Sequence, residues 1–172
     1  MAKTEFIFLT EIRQNLKNAW KILNKDPHVA YEKVVNILKE IRRIKTRDSI
    51  TFITSDAIYL YELIALHVLG YAYLSMGNSV KARDIAEELI DVSKLSNNLE
   101  YQSLAEVIIA KLEIQVGHWE IAKQLLKKAI PILVGLLSFQ LILRMLTVLR
   151  HILSENDKKV FKSISFANSA NP

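Results

Sequence analysis

The sequence predicts an all-α fold, and three observations carry that prediction. Of its 172 residues only four are glycine and three are proline, too few to punctuate the many short turns of a β-rich chain. Apolar residues recur at i, i+3, i+4 and i+7 over long segments, which is the period of a half-buried helix. The stretch from Leu63 to Ile132 also repeats itself: Gly77 and Gly117 stand 40 residues apart, and the same offset carries Leu69 to Ile109, Gly70 to Ala110, Leu74 to Ile114, Ser79 to Trp119 and Ala82 to Ala122. A period of that length marks stacked helix pairs, since one pair alone cannot bury its apolar face.

A chain of this length, 51% hydrophobic, can bury a sizeable core in one domain without a metal or disulfide. It has no cysteine, which excludes disulfides, thiolate catalysis and any Cys-ligated zinc or iron–sulfur site. The Ile-, Leu- and Lys-rich, cysteine-free composition is of the kind found in thermophiles. After Met1–Glu5 only four apolar residues, Phe6 to Leu9, precede Thr10 and Glu11, which is short for a signal-peptide core. Leu63 to Val80 and Ala129 to Leu143 carry no formal charge with His67 neutral. The first ends in the turn residues Gly77-Asn78-Ser79; the second holds Pro131 and Gly135 and falls short of the roughly 20 apolar residues a bilayer requires. A soluble, cytoplasmic protein with no membrane span is therefore expected.

The first helix is expected from Thr4 to Leu23, with Leu9, Ile12, Leu16, Ala19, Trp20 and Leu23 on one face. Asn24-Lys25-Asp26-Pro27 ends it. Asp26 caps the second, Pro27 suits its first position, and Ala30, Val34, Ile37, Leu38 and Ile41 form its apolar stripe to about Ile44. Ser49 to Thr54 is β-branched enough to read as strand by propensity, but a lone strand has no partner, so it is read as a linker or the ragged start of a third helix capped by Ser55 or Asp56. From Ala57 to Met76 that helix is apolar on nearly every side, which places it at the centre of the fold.

The fourth, Ser79 to Leu95, turns Ala82, Ile85, Ala86 and Leu89 inward and Glu87, Glu88 and Asp91 outward. Ser96-Asn97-Asn98 breaks it. A fifth runs from Glu100 to Val116, with Tyr101, Ala105, Ile109, Leu112 and Val116 on one side; a sixth starts at Trp119 and is kinked or ended by Pro131, with Gly135 as a turn. A seventh, Leu137 to Leu153, has one narrow polar stripe of Gln140, Arg144, Thr147 and His151. The domain is thus 1–154, and 155–172 reads as a loose polar tail.

Leu66-x2-Leu69-Gly70-x2-Tyr73, then Gly77 and Ala82, resembles the tetratricopeptide repeat (TPR) family, with Leu where that family often has Trp. The second copy keeps Ile109-Ala110, Gly117-x-Trp119-x2-Ala122, Leu126, Ala129 and Pro131. It departs at Glu106 and Glu113, which stand where Leu66 and Tyr73 stood, and its 40-residue period exceeds the family's usual length of about 34. The first hairpin is degenerate, Ala30 lying 52 residues before Ala82. The resemblance implies antiparallel hairpins stacked as a short right-handed superhelix of about seven helices, in which small residues at Gly70 and Ala82 let paired helices approach closely. The other reading is an unrelated helical bundle.

No metalloprotease motif, nucleophile elbow or phosphate-cradling glycine loop is present, so a non-enzymatic chain with no cofactor and no metal is expected. His28 and His118 read as solvated turn residues, His67 as a neutral core histidine or a groove residue. The resemblance implies a concave groove lined by the first helix of each pair, at Ile64, His67, Tyr71, Leu74, Leu104, Val107, Lys111 and Ile114. Such an apolar groove suits an amphipathic helix or peptide of another protein, or the chain's own seventh helix. Phe139, Leu146 and Leu149, with Ile142 not among them, are the candidates for a homodimer contact. The alternative function is a basic nucleic-acid-associated regulator using Lys39, Arg42, Arg43, Lys45 and Arg47. Cations also favour a helix carboxyl terminus on their own account, and no aromatic residues interleave with these.

Overall fold

The computed structural model describes residues 2–46 and 52–135, with side chains over 8–46 and 55–135. Those residues form six helices and no strand: α1 Ala2–Leu23, α2 Pro27–Lys45, α3 Phe52–Ser75, α4 Ser79–Leu95, α5 Leu99–Gln115 and α6 Trp119–Gly135. The expected seventh helix with Phe139, Leu146 and Leu149, the tail, and Arg47 lie outside the described residues. The chain divides into a compact unit, Met1–Ile132, and a second, Leu133–Pro172, of which the description reaches only the last turn of α6.

Local chemistry fixes most boundaries. Asp26 accepts a hydrogen bond from the Val29 N–H at 3.0 Å and Pro27 opens α2, whose stripe Ala30, Val34, Ile37, Leu38 and Ile41 is buried as the periodicity requires. Asn78 and Asn98 cap α4 and α5 in the same way, accepting from the Lys81 and Tyr101 N–H groups. Two expectations are corrected. The helix read from Ala57 begins at Phe52, so Ser55 and Asp56 lie inside it rather than capping it; helical continuity wins over the β propensity of the run. Pro131 does not end α6, which continues to Gly135. Proline lacks the N–H that the Lys127 carbonyl would otherwise receive, but its φ is helical, so the chain passes through at the loss of one bond.

The last three turns are copies of one another. Gly77 (φ 73°), Asn97 (φ 51°) and Gly117 (φ 83°) are left-handed. In each the next N–H reaches back five residues: Asn78 to the Tyr73 carbonyl at 2.9 Å, Asn98 to Ser93 at 2.8 Å, His118 to Glu113 at 2.8 Å. This is the Schellman closure, which glycine adopts freely and asparagine tolerates. The turns stand 20 residues apart, so the 40-residue sequence period is two equal helix-plus-turn steps.

The near all-round apolarity of α3 has its counterpart in the packing: it lies against α1, α2, α4 and α5. Ile58, Leu63, Leu66 and Val68 are at most 1% exposed. From α1 to α5 consecutive helices pack, and α1 against α3 and α3 against α5 pack as well, so these odd-numbered helices lie side by side. Gly70 permits the α3–α5 approach, since a Cβ there would stand 2.9 Å from the Ile108 Cδ1 and 3.7 Å from the Ile85 Cγ2. Among the described residues α3, over 55–75, is the one helix long and apolar enough to cross a bilayer; here it is enclosed by four others.

Candidate functional site

The odd-numbered helices share one aromatic cluster. Trp20 of α1 stacks on His67 of α3, ring centres 5.1 Å apart and planes 21° from parallel. Tyr71, one turn further along α3, meets His67 edge-on at 5.1 Å and Trp20 at 6.0 Å, and Tyr101 of α5 meets His67 edge-on at 6.0 Å. Each such pair adds about 0.5–1.5 kcal/mol beyond its buried area. The Lys111 Nζ stands 5.9 Å from the centre of the Tyr71 ring. His67 is buried beneath the cluster, while Trp20, Tyr71, Tyr101 and Lys111 are half-buried. Burial raises the Tyr71 hydroxyl well above its ordinary pKa and lowers that of the Lys111 amine.

Of the residues expected to line a groove, Ile64, Tyr71, Lys111 and Ile114 are half-buried and His67 is 8% exposed. Leu74, Leu104 and Val107 offer little surface, at 7, 5 and 3% exposed. They are buried, and Leu74 packs with Ala82, Ala86, Ile108 and Leu112 between α3, α4 and α5. A helix buried on several sides carries more than one apolar stripe, so spacing alone does not separate groove from core. Sequence reasoning misses Trp20 and Tyr101 as site residues, although periodicity puts both on the inner faces of their helices.

The basic segment is tied to acidic side chains. Lys45 donates to Glu62 Oε2 at 2.5 Å and lies 4.0 Å over the Tyr59 ring. Arg42 bonds Glu88 and has its Nε 3.7 Å from Glu62 Oε1; Arg43 donates to Glu40 at 2.8 Å. Lys39 is exposed, with no ion pair among the described residues.

Glu106 and Glu113, the departures from the repeat pattern, are buried and paired. Glu106 receives Lys128 of α6. Glu113 receives Arg83 of α4 on one oxygen, and on the other stands 2.7 Å from Nδ1 of His118, which is therefore engaged rather than free in its turn. The Arg83 hydrogen bond, then that of His118, hold the Glu113 carboxyl below its ordinary value of 4.5 against the opposing effect of desolvation. A depressed carboxylate pKa stabilises the fold above the unfolded value and loses that effect as pH falls through the folded one. Wild type is expected to melt above Glu113→Gln at pH 7, and the gap to close as pH falls below 4.5; a gap that ignores pH in thermal scans would contradict the pairing.

Among the described residues no group of three or more His, Asp or Glu side chains is placed to hold a metal ion. A shallow open depression of about 490 Å³ lies at Gly117–Ile121, beside the half-exposed Trp119. Comparison of the chain with protein-family models, with curated proteins and with solved structures gives no match. What the fold and the site define is an all-helical protein with an aromatic cluster shared by α1, α3 and α5.

Proposed function

We propose that the chain is a non-enzymatic interaction module, a short TPR-like stack of the hairpins α1–α2, α3–α4 and α5–α6, which takes a helix or peptide of a partner protein on the side formed by α1, α3 and α5. The observation that carries this reading is the aromatic cluster with Lys111 on three helices that lie side by side, as the first helices of stacked pairs do. The ion pairs of Arg42, Arg43 and Lys45 support a structural role for the basic segment and weigh against the nucleic-acid reading. In pull-downs from native lysate with nuclease, the double variant Tyr71→Ala/Lys111→Glu is expected to retain roughly a tenth or less of the captured protein, while Lys39→Glu/Arg43→Glu captures as wild type does. The reverse pattern would move the function to the basic segment.

A further inference from the structure

Charge is distributed over this fold by helix. The cations of the described ion pairs all come from α2, α4, α6 or the turn before α6. The described lysines and arginines of the odd-numbered helices, Arg13, Lys17, Lys21 and Lys111, have no carboxylate within 4.0 Å among the described residues. The buried carboxylates of α3 and α5 are already taken, Glu62 by Lys45, Glu106 by Lys128 and Glu113 by Arg83. Arg13 and Lys17 precede Trp20 by seven and three residues, which places them on the same side of α1 as the ring that stacks on His67. Glu11, nine residues before Trp20, falls on the opposite side, whereas Asp56 and Glu100, eleven residues before His67 and Lys111, share their sides of α3 and α5. The side formed by α1, α3 and α5 is thus aromatic at its centre, with the cations Arg13, Lys17 and Lys111, unpaired among the described residues, outnumbering the carboxylates Asp56 and Glu100.

Resting on the proposed binding face, we infer that its partner is an acidic amphipathic protein segment: an apolar stripe lies against Tyr71, Ile64 and Ile114, and carboxylates flanking that stripe meet Lys111, Lys17 and Arg13. A half-buried ammonium facing a ring, without its own counterion, gains more from an incoming carboxylate than an exposed lysine does, because less water screens the pair. A single-stranded nucleic acid would also meet cations and rings here, but it stacks on open ring faces. Those of Trp20 and Tyr71 are engaged by His67 and approached by Lys111.

The test uses a labelled amphipathic helical peptide with a leucine stripe flanked by glutamates, its twin with glutamine in their place, and a labelled single-stranded oligonucleotide, titrated by fluorescence anisotropy at near-physiological salt. The glutamate peptide is expected to bind about tenfold or more tighter than its twin. Lys111→Met and Lys17→Gln should each reduce that preference, Lys111→Arg should keep it, and all three should melt close to wild type. If both peptides bind equally and Tyr71→Ala weakens both, the face stands and the acidic partner is rejected. If neither binds, or Tyr71→Ala changes nothing, the face and the inference fall together. An oligonucleotide bound more tightly than either peptide, with affinity falling steeply in salt, overturns the inference in favour of nucleic acid.

Discussion

Replacing Gly70 with leucine is expected to remove about 3 kcal/mol of folding free energy, toward the upper end for overpacking a filled core. The first carbon of the new side chain would already stand 2.9 Å from the Ile108 Cδ1, and Ile108 is fully buried, so the larger group has nowhere to go. The helices α3 and α5 would have to separate along the line that also carries Tyr71 and Lys111. Alanine at the same place is a different case. Its one methyl meets the far end of a single side chain, and the helix gains about 1 kcal/mol when glycine is replaced, so Gly70→Ala should stay within about 1 kcal/mol of wild type. Urea unfolding of the two variants measures both values. A leucine variant with an unchanged midpoint would show that α3 and α5 do not approach as described.

The second large effect comes from stranding Glu62. Its side chain is 5% exposed and its carboxylate depends on Lys45 and Arg42, so Lys45→Met/Arg42→Met leaves a buried charge without a counterion, at an expected cost of about 2–3 kcal/mol. The figure is set below that for a fully enclosed pair because the Lys45 side chain is itself 26% exposed and water can follow. Adding Glu62→Leu to the same background should recover most of the loss, since an apolar group of similar length suits the site once both cations are gone. Thermal and urea unfolding of the double and triple variants decide it. A double variant as stable as wild type would mean that the segment's positive charge serves something other than α3.

Helix type, order and most boundaries were legible in the sequence because their causes are local: Asp26-Pro27 at the start of α2, Gly77-Asn78 and Gly117 at turns, and a 3.6-residue period between them. The start of α3 was not, since β-branched residues at Phe52 to Thr54 favour strand on their own and only the continuing helix decides otherwise. Of the kink or stop expected at Pro131 the stop failed for a related reason, as a proline forbids one hydrogen bond rather than a helix. At the candidate site, Tyr71 and Lys111 were expected only through the groove positions that the repeat resemblance implies. The stack of Trp20 on His67 joins residues 47 positions apart, and the burial of Leu74, Leu104 and Val107 depends on which stripe of a nearly all-apolar helix meets which neighbour. Periodicity within one helix contains neither fact. The acidic departures Glu106 and Glu113 read as flaws in the repeat until Lys128, Arg83 and His118, each from another element, are seen to meet them.

Because helices pack chiefly with those one or two places along the chain, most native contacts join residues that are close in sequence. Little loop-closure entropy stands between the unfolded chain and any one hairpin, so assembly can begin at several points and spread to neighbours, as it does in repeat proteins. The same locality governs opening. Separating α1 from α2 and α3 disturbs nothing that holds α4 to α5, and Trp20 leaves with α1. The aromatic cluster therefore spans the seam between α1 and its neighbours, and the partner proposed for α1, α3 and α5 would hold that seam closed.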